Sequence, residues 1–433
     1  MSLAYQSWGR WPAATQRALR VGNRFAPLPS FAGHGLPRGN GRSYGDVCLD
    51  DGGTLLDARG LDHFIAFDPV TGVLRCEAGV LFGTILELFV PRGWFLPVVP
   101  GTRFVTVGGA IANDVHGKNH HLVGSFGCHV RAFELLRSDS SRIACTPHDN
   151  PDWYAATIGG LGLTGLITWV ELQLKPVPGA WFDTESIRFP GLDAFFELSA
   201  ESERDYEYTV AWVDCTSGGT KLGRGIFSRG QHAAAPAGAS APRTGRLRVP
   251  VTPPFSLVNR PSLHAFNALY FHRAPETPHR VSRHYLPWLF PLDGIREWNR
   301  MYGPHGFLQY QCLLPPQTAR DGVRELLERI AASGTGSFLA VLKQFGSIRS
   351  PGLLSFSRAG TTLALDFANR GRNTFELLDR LDDSVAAAGG VVYPAKDARM
   401  SGERFRKYFP AWRDFSNFID PAFSSGFWRR VTR

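Results

Sequence analysis

The sequence predicts an α+β fold with two domains, and three observations lead to this prediction. The chain has 433 residues, which is more than one hydrophobic core usually organises. Short strand patterns and glycine-rich turns dominate residues 1–178. Residues 179–390 have a different sequence pattern, which predicts longer strands with alternating apolar and polar residues and an amphipathic helix. Pro176 and Pro178 separate the two regions.

The first region contains a predicted hairpin, a helix and a further strand. The segment "HFIAFDPVTGVLRCEAG" forms two strands around an Asp-Pro-Val-Thr-Gly turn. In "LFGTILELFVPRG" the apolar residues have helical spacing, and a proline and a glycine end the helix. In "LITWVELQLKPV" apolar residues alternate with polar ones, which is typical of a strand with one buried face.

The second region contains the predicted strands "AWVDC", "KLGRGIFSRG" and "GFLQYQCLLP" and the predicted helix "RDGVRELLERIAASG". Between them lies "RGQHAAAPAGASAPRTGRLRVPVTPP", which is rich in Ala, Pro, Gly and Ser. This composition predicts a mobile loop.

Composition and charge restrict the class of protein and of partner. Hydrophobic residues make up 43% and charged residues 20%, which is typical of a folded chain. No apolar run approaches the roughly 18 residues of a membrane span, and the N-terminus lacks the apolar core of a signal peptide. Six dispersed cysteines without a CxxC pair indicate free thiols. A net charge of +9 favours an anionic partner. Without a nucleic-acid motif, that partner is expected to be a phosphate or a lipid headgroup.

The segment "GGLGLTG" matches the dinucleotide fingerprint by pattern, with Gly160, Gly162 and Gly165. That fingerprint works between a strand and a following helix. Here the preceding "DWYAATI" is helical in pattern and the following run is strand-like, so the order is reversed. A nicotinamide site is therefore not expected, and these glycines indicate close backbone approach instead.

Two other glycine-rich segments predict a cofactor cradle. They are "PRGNGRSYGDVCLDDGG", from Pro37 to Gly53, and "PGTRFVTVGGAIANDVHGKNHH", from Pro100 to His121. A Gly-x-Gly turn exposes backbone N–H groups that can bind phosphate oxygens. Two such segments flanked by strands suit a long diphosphate cofactor.

With "GSFGCHVRAFELL" and "ATIGGLGLTGLI", these segments resemble the FAD-binding domain of the vanillyl-alcohol-oxidase superfamily. Within it, "GRSYGD", "GGAIANDVHGKNHH", "KLGR", "EWNRMYGPHGFLQYQ" and "YPAKD" are similar to motifs of the decaprenylphosphoryl-β-D-ribose 2′-oxidases. The similarity extends from about Pro37 to Asp420 and Pro421, which is most of the chain.

The resemblance implies a two-domain vanillyl-alcohol-oxidase-type fold. Residues 1–178 and 391–433 would form the FAD-binding domain, and 179–390 a substrate-binding domain with an antiparallel sheet over the flavin. Arg42 stands where many relatives carry the histidine that attaches flavin, so FAD is expected to bind non-covalently. The implied FAD contacts are Gly39, Asn40, Gly41, Arg42, Ser43, Tyr44, Gly101, Thr106, Val107, Gly108, Gly109, Asn113, Asp114, Val115, His116, Ile167 and Tyr393.

Lys396, His116 and Tyr44 are the implied catalytic residues. Lys396 or His116, acting directly or through Tyr44, would take the proton from a substrate hydroxyl. Burial and neighbouring cations would lower the pKa of Lys396, and Asp397 would oppose that change. His116 and His120 also form a His-x₃-His pair, but no further ligand stands at useful spacing, so no metal is expected. His120 and His121 are expected to orient the loop.

The implied substrate contacts are Gln309, Gln311, Lys343, Phe345, Asp366 and Lys396. Alternation in "GFLQYQ" places Gln309 and Gln311 on one face, and amides suit hydroxyl recognition because they donate and accept. The run "LALDFA" departs from the resemblance. Relatives usually carry Asn and Cys before the aspartate, whereas Thr362 and Ala364 stand there in this chain.

The resemblance implies FAD-dependent oxidation of the C2′ hydroxyl of polyprenylphosphoryl-β-D-ribose, the first half of a 2′-epimerisation that makes an arabinose donor for cell-wall glycans. It also implies an NAD-dependent ketoreductase partner. The alternatives are an alditol or aldonolactone oxidase of the same superfamily and a non-catalytic flavin-binding protein. The protein is expected in the cytoplasm or at the inner membrane surface, and the resemblance also allows the periplasmic face. A basic cluster of His272, Arg273, Arg280, Arg283 and His284 is predicted to form the entrance rim for a lipid phosphate.

Overall fold

The computed structural model describes residues 5–242 and 247–433. The first part of the chain contains ten strands in three separate sheets. They are β1 (Arg17–Arg20), β2 (Gly35–Arg38), β3 (Thr54–Asp57), β4 (Phe64–Asp68), β5 (Val73–Glu77), β6 (Trp94–Phe95), β7 (Val130–Leu136), β8 (Arg142–Cys145), β9 (Leu166–Gln173) and β10 (Lys175–Pro176).

A parallel sheet and an antiparallel sheet form the body of this part. β1 and β2 flank β3 in the parallel sheet. The antiparallel sheet has the order β4-β5-β9-β7-β8, and β6 pairs with β10 in a separate ribbon. The predicted hairpin is confirmed as β4 and β5. On β9, Val170 and Leu172 are buried, while Glu171 and Gln173 are partly exposed, as the alternation predicts.

The middle of the chain forms one large antiparallel sheet of eight strands. Its order is β15-β11-β13-β12-β18-β19-β17-β20, and the short β14 and β16 pair with each other outside it. The strands are β11 (Trp181–Phe189), β12 (Tyr208–Val213), β13 (Gly225–Ala233), β14 (Leu247–Arg248), β15 (His279–His284), β16 (Ile295–Arg296), β17 (Phe307–Leu314), β18 (Val341–Phe345), β19 (Gly360–Ala368) and β20 (Val391–Val392).

Helices connect these strands, and three of the longer ones, α5, α8 and α9, cover one face of the large sheet. They are α1 (Phe82–Phe89), α2 (Val107–Ala112), α3 (His120–Val123), α4 (Pro151–Thr157), α5 (Leu192–Ser202), α6 (Arg260–Arg273), α7 (Tyr285–Leu289), α8 (Ala319–Ser333), α9 (Arg372–Ala387), α10 (Gly402–Tyr408), α11 (Trp412–Ser416) and α12 (Gly426–Thr432). The predicted helices after Leu81 and Thr318 are confirmed as α1 and α8.

The two faces of β17 have different surroundings. Leu308, Tyr310 and Cys312 point into the main hydrophobic core beneath α8 and α9. Gln309 and Gln311 alternate with them and therefore lie on the opposite face, as predicted. That face carries the polar residues described below.

One sequence expectation meets a different structure. The strand β13 continues to Ala233, so the beginning of the Ala/Pro/Gly/Ser-rich segment is a strand and not a loop. Pairing with β11 continues to Ala233 and stabilises that extension, whereas pairing with β12 ends at Gly230. The part of the segment at residues 243–246 lies outside the described residues. The division at residue 390 stays a prediction, and β20 just after it pairs with β17 in the large sheet.

Candidate active site

Close backbone packing joins the two glycine-rich segments. The first follows β2, and Gly41 within it has a φ of 62°, which favours glycine. A Cβ atom on Gly39 would collide with the Thr106 side chain, and one on Gly108 would lie 3.0 Å from the Ala78 Cβ. The Thr106 hydroxyl accepts a hydrogen bond from the Gly109 N–H at 3.2 Å and caps α2. These contacts hold both segments at one place.

The first segment offers a row of backbone donors. Within the described residues, the N–H groups from Gly39 to Ser43 donate to no protein group, whereas the next one, of Tyr44, donates to the Ala395 carbonyl at 3.0 Å. A Cβ on Gly101 would meet no atom within 4 Å. Free N–H groups beside open space suit the oxygens of a diphosphate.

Several buried polar atoms near these segments also lack a protein partner. Among the described residues, Arg42 Nε, Asn113 Oδ1 and His116 Nδ1 are such atoms. Buried polar atoms are nearly always hydrogen-bonded in folded proteins. The donors and acceptors present therefore fit a large polar cofactor such as FAD.

Arg42 lies between two aromatic rings and close to a carboxylate. Its guanidinium carbon is 4.1 Å from the Trp8 ring centroid and 5.3 Å from that of Phe104. Burial lowers its pKa and nearby Asp293 raises it. Asp293 also accepts a hydrogen bond from the Arg103 N–H at 2.8 Å. No local sequence pattern predicts Trp8 or Asp293 at this site, because both residues come from other parts of the chain.

Other residues that the resemblance implies as FAD contacts already contact the protein itself. The carboxylate of Asp114 already accepts hydrogen bonds from the Gly127 N–H and from Ser350 and Ser355. The Tyr393 hydroxyl donates to the Asn113 carbonyl at 2.6 Å and so ties the C-terminal segment to α2. Val107 and Ile167 are buried in the core of the first part, and Val115 packs against it.

Lys396 and Tyr44 are brought together although 352 positions of sequence numbering separate them. Lys396 ends a short 3₁₀ helix, Pro394–Lys396, that follows β20. Its Nζ atom lies 3.8 Å from the centroid of the Tyr44 ring. Burial raises the pKa of Tyr44 well above its ordinary value, so its hydroxyl keeps its proton. The Tyr44 ring also makes an edge contact with Phe307 at 5.5 Å.

Asp366 is the carboxylate that faces Lys396. Burial lowers the pKa of Lys396 to about 7, Asp366 opposes this change, and Lys343 adds to it. Burial also raises the pKa of Asp366 to about 7, while a hydrogen bond from Gln309 at 2.6 Å acts in the other direction. The two groups titrate as a pair near neutral pH.

The expectation that Asp397 opposes the change in Lys396 is wrong. Asp397 accepts a hydrogen bond from Arg430 at 3.0 Å and from the Met400 N–H at 2.8 Å. Its carboxylate is therefore turned towards α12. Proximity in sequence gave no information about this direction, because Asp397 lies past the end of the 3₁₀ helix.

His116 is held in its neutral form. Burial lowers its pKa well below the ordinary value, and Lys343, His120 and Lys396 lower it further. Gln311 Nε2 donates to His116 Nε2 at 2.8 Å and to the Thr362 hydroxyl at 3.1 Å. The Thr362 hydroxyl donates its hydrogen bond to the Cys312 carbonyl, so towards Gln311 it can only accept. The NH₂ group of the Gln311 amide must therefore face Thr362, which fixes the orientation of the amide. The proton of His116 accordingly resides on Nδ1, which is a free donor.

Lys343 and Phe345 lie on one face of β18. Burial lowers the pKa of Lys343 to about 8. The Phe345 ring stacks on His120 at 4.0 Å and contacts His116 at 4.8 Å. His121 Nε2–H donates to the Tyr206 carbonyl at 3.0 Å, which agrees with a role in orienting the loop. Lys118 instead donates to the carbonyls of Trp288 and Leu289 at the end of α7.

Among the described residues, metal-type ligands do not gather at this site. One group of three such residues is found elsewhere: Asp62 and His63 just before β4, and Glu77 at the end of β5. His63 is exposed and hydrogen-bonded to Glu77, so this group is an ordinary surface cluster.

Comparisons with known proteins agree with this geometry. The FAD binding domain family matches residues 32–146. A decaprenylphosphoryl-β-D-ribose oxidase from Mycolicibacterium smegmatis is 35% identical over 414 residues, which cover 92% of this chain and 88% of that protein. The chain belongs to the decaprenylphosphoryl-β-D-ribose oxidase family. The predictions of the fold, of FAD as cofactor and of an FAD-dependent oxidoreductase are thereby confirmed.

Other relatives show how far the similarity extends. An uncharacterized protein from Streptomyces coelicolor is 35% identical over 367 residues, covering 80% of this chain and 98% of that protein. A putative D-arabinono-1,4-lactone oxidase from Neurospora crassa is 30% identical over 129 residues, covering 28% of this chain and 22% of that protein. The whole-length match therefore favours the ribose oxidases over the lactone oxidase named as an alternative. None of the described helices is both long and apolar enough to cross a membrane.

Proposed function

We propose that the protein oxidises the C2′ hydroxyl of polyprenylphosphoryl-β-D-ribose to the 2′-keto sugar. The observation that carries the proposal is the Lys396–Asp366 pair beside Tyr44. Asp366 is buried on the sheet face that also presents Gln309 and Gln311. FAD, when bound, supplies hydride acceptance. A ketone product requires a reductase to complete a 2′-epimerisation, and an NAD-dependent ketoreductase suits that step.

Lys396 is the better of the two candidate bases. With a pKa lowered to about 7, a large fraction of its amine is unprotonated near neutral pH and can take the hydroxyl proton. The resulting ammonium is stabilised by Asp366. His116 has a pKa far below this range, and its Nε2 atom is occupied by Gln311. It serves as a hydrogen-bond donor through Nδ1.

The remaining polar groups suit a sugar phosphate. Gln309 Oε1 and Asp366 Oδ2 are buried atoms without a partner in the described residues, and both can accept hydrogen bonds from sugar hydroxyls. Lys343 has a pKa of about 8 and stays largely protonated at neutral pH, which favours an anionic substrate. Gly39 to Ser43, Thr106 and Asn113 would hold the FAD.

An anaerobic visible spectrum tests the proposal. We expect polyprenylphosphoryl-β-D-ribose to bleach the flavin band, and an alditol or an aldonolactone to leave it unchanged. After acid precipitation the flavin is expected in the supernatant, because Arg42 cannot attach it as a histidine does. Bleaching by the alditol or lactone instead would favour the alternative oxidases. A flavin that no substrate bleaches would indicate a non-catalytic flavin-binding protein.

A further inference from the structure

Large exposed apolar side chains are concentrated on one helix and on the chain that leads into it. Among the described residues, eleven large hydrophobic side chains are exposed, and seven of them lie between residues 247 and 270. These are Leu247, Val251, Phe255, Leu257, Phe266, Leu269 and Tyr270. Exposed apolar side chains that cluster in this way mark an interaction surface.

The helix α6 has two apolar faces, and only one of them is buried. Leu263, Asn267 and Phe271 point into the protein at spacings of four residues. Phe266, Leu269 and Tyr270 are three and four residues apart, so they form a second stripe. Leu269 is 75% exposed. The Phe266 and Tyr270 rings stack on each other at 5.6 Å, which makes the stripe a defined surface.

The surroundings of this stripe are strongly basic. Between residues 247 and 283 the chain has five arginines and one acidic residue, Glu276. Glu276 pairs with Arg188 from outside the segment. Arg248 and Arg280 pair with Glu297 and Glu185. Arg260, Arg273 and Arg283 are exposed, and none of them forms an ion pair with another described residue.

We infer that the α6 face, defined as Phe266, Leu269 and Tyr270 with Arg273, docks on the surface of an anionic lipid bilayer. Apolar side chains of an interfacial helix enter the boundary between headgroups and acyl chains, and flanking arginines bind anionic headgroups. The inference extends the proposed function, because a polyprenyl substrate resides in a membrane. Vesicle binding can nevertheless be measured without turnover.

A second copy of the chain is a poorer occupant. In a two-fold dimer the same surface patches face each other. The unpaired arginines would then meet like charges, which opposes association. An anionic bilayer complements both the charge and the apolar stripe.

The α6 face is also close to the candidate active site. On the buried side of α6, Leu263 joins a cluster with Val258, Trp298, Tyr302 and Phe307. Tyr44 packs against that same cluster. One layer of aromatic side chains therefore connects the proposed lipid surface with the ring beneath Lys396. The predicted rim needs correction in this light, since His284 is buried and Arg280 is bound to Glu185.

Vesicle flotation of the FAD-loaded protein tests the inference. The wild type is expected to float with phosphatidylglycerol-containing vesicles and to stay behind with pure phosphatidylcholine. The double variant Phe266→Ser/Leu269→Ser is expected to lose about tenfold or more of this binding. The control Phe25→Ser/Val70→Ser removes two apolar side chains elsewhere that are more exposed than Phe266 and Leu269, respectively, and it is expected to bind like the wild type.

Bound flavin and an unchanged melting temperature in each variant exclude misfolding as the cause. The inference is overturned if the wild type does not float with anionic vesicles. It is also overturned if the α6 variant and the control lose binding equally, or if the α6 variant abolishes a dimer that does not bind vesicles. Failure of the flavin to bleach with the substrate would refute the proposed function alone.

Discussion

At the scale of single residues, the Lys396–Asp366 pair sets the expected pH dependence. The base must be unprotonated, so kcat/KM is expected to rise with pH through about 7 and to level off above it. Lys396→Ala is expected to lower turnover roughly 10²–10⁴-fold and to retain FAD. The exposed Lys407→Ala is the matched control. Near-normal turnover in Lys396→Ala would exclude this role.

Removing the opposing carboxylate tests the pair itself. Asp366 raises the pKa of Lys396, so Asp366→Asn is expected to move the midpoint of the pH profile of kcat/KM to lower pH. The asparagine keeps an acceptor for the Gln309 amide, which preserves the local hydrogen bond. An unchanged midpoint would show that Asp366 does not act on the titrating group.

The protonation of His116 gives an isostere test. An asparagine amide overlies the Nδ1 position of a histidine, and a glutamine amide overlies the Nε2 position. Because Nδ1–H is the free donor, His116→Asn is expected to retain more turnover than His116→Gln or His116→Ala. Loss of this one hydrogen bond is expected to lower kcat about tenfold. If His116→Gln were the most active of the three, the proton would be on Nε2.

The family resemblance pointed to most of these residues as expected site residues, but not to their partners. Alternation on β17 correctly placed Gln309 and Gln311 on one face. The partnership of Gln311 with His116 and Thr362 joins three distant segments, and no local spacing encodes it. For the same reason, the sequence predicts Asp397, the neighbour in the chain, as the carboxylate that acts on the pKa of Lys396. In the structure Asp366 has that effect.

At the scale of elements, Arg430 of α12 binds both segments that carry Tyr44 and Lys396, and we call this set of contacts the Arg430 clasp. Arg430 donates to both carboxylate oxygens of Asp46, at 2.7 and 3.0 Å, and to Asp397 at 3.0 Å. Asp46 lies in the first glycine-rich segment, two residues after Tyr44, and Asp397 follows Lys396. A Cβ on Gly45 would overlap the Asp397 carbonyl, so these segments touch directly. The clasp thus sets the distance between the Tyr44 ring and Lys396.

Breaking the clasp is expected to affect stability and turnover together. Arg430→Met leaves the buried carboxylates of Asp46 and Asp397 without their ion-pair partner. This loss is expected to lower the free energy of unfolding by about 3 kcal/mol. It should also lower kcat while FAD remains bound. Arg430→Lys is expected to rescue little, because an ammonium cannot reproduce the planar fork. Urea unfolding and steady-state kinetics measure both effects, with exposed Arg406→Met as the control. Wild-type kcat in Arg430→Met would refute the positioning role.

Individual elements were predictable where a local pattern decides them. The hairpin of β4 and β5 and the helix α8 follow from turn chemistry and helical periodicity. The order of the strands in the eight-stranded sheet could not be predicted, because each pairing depends on contacts between segments that are distant in sequence. The extension of β13 to Ala233 shows this effect, since pairing with β11 overrides a composition typical of loops.

At the scale of the whole molecule, the net charge of +9 and the α6 face lead to a prediction about substrate delivery. A long-chain substrate resides in vesicles, whereas a short-chain analogue dissolves in water. Turnover of the long-chain substrate is expected to be faster on phosphatidylglycerol-containing vesicles than on phosphatidylcholine. It should also fall with added salt, because ions screen exposed charges over roughly 10 Å at 0.1 M ionic strength.

Turnover of the short-chain substrate provides the internal control for this prediction. Asp366 is buried and Lys396 is partly buried, so salt and vesicle composition are expected to leave short-chain turnover nearly unchanged. The variant Phe266→Ser/Leu269→Ser should likewise lose activity only with the long-chain substrate. If salt lowered both activities equally, the charge would act on the chemical step or on folding. The arginines of α6 would then have no separate role in bringing the enzyme to its lipid substrate.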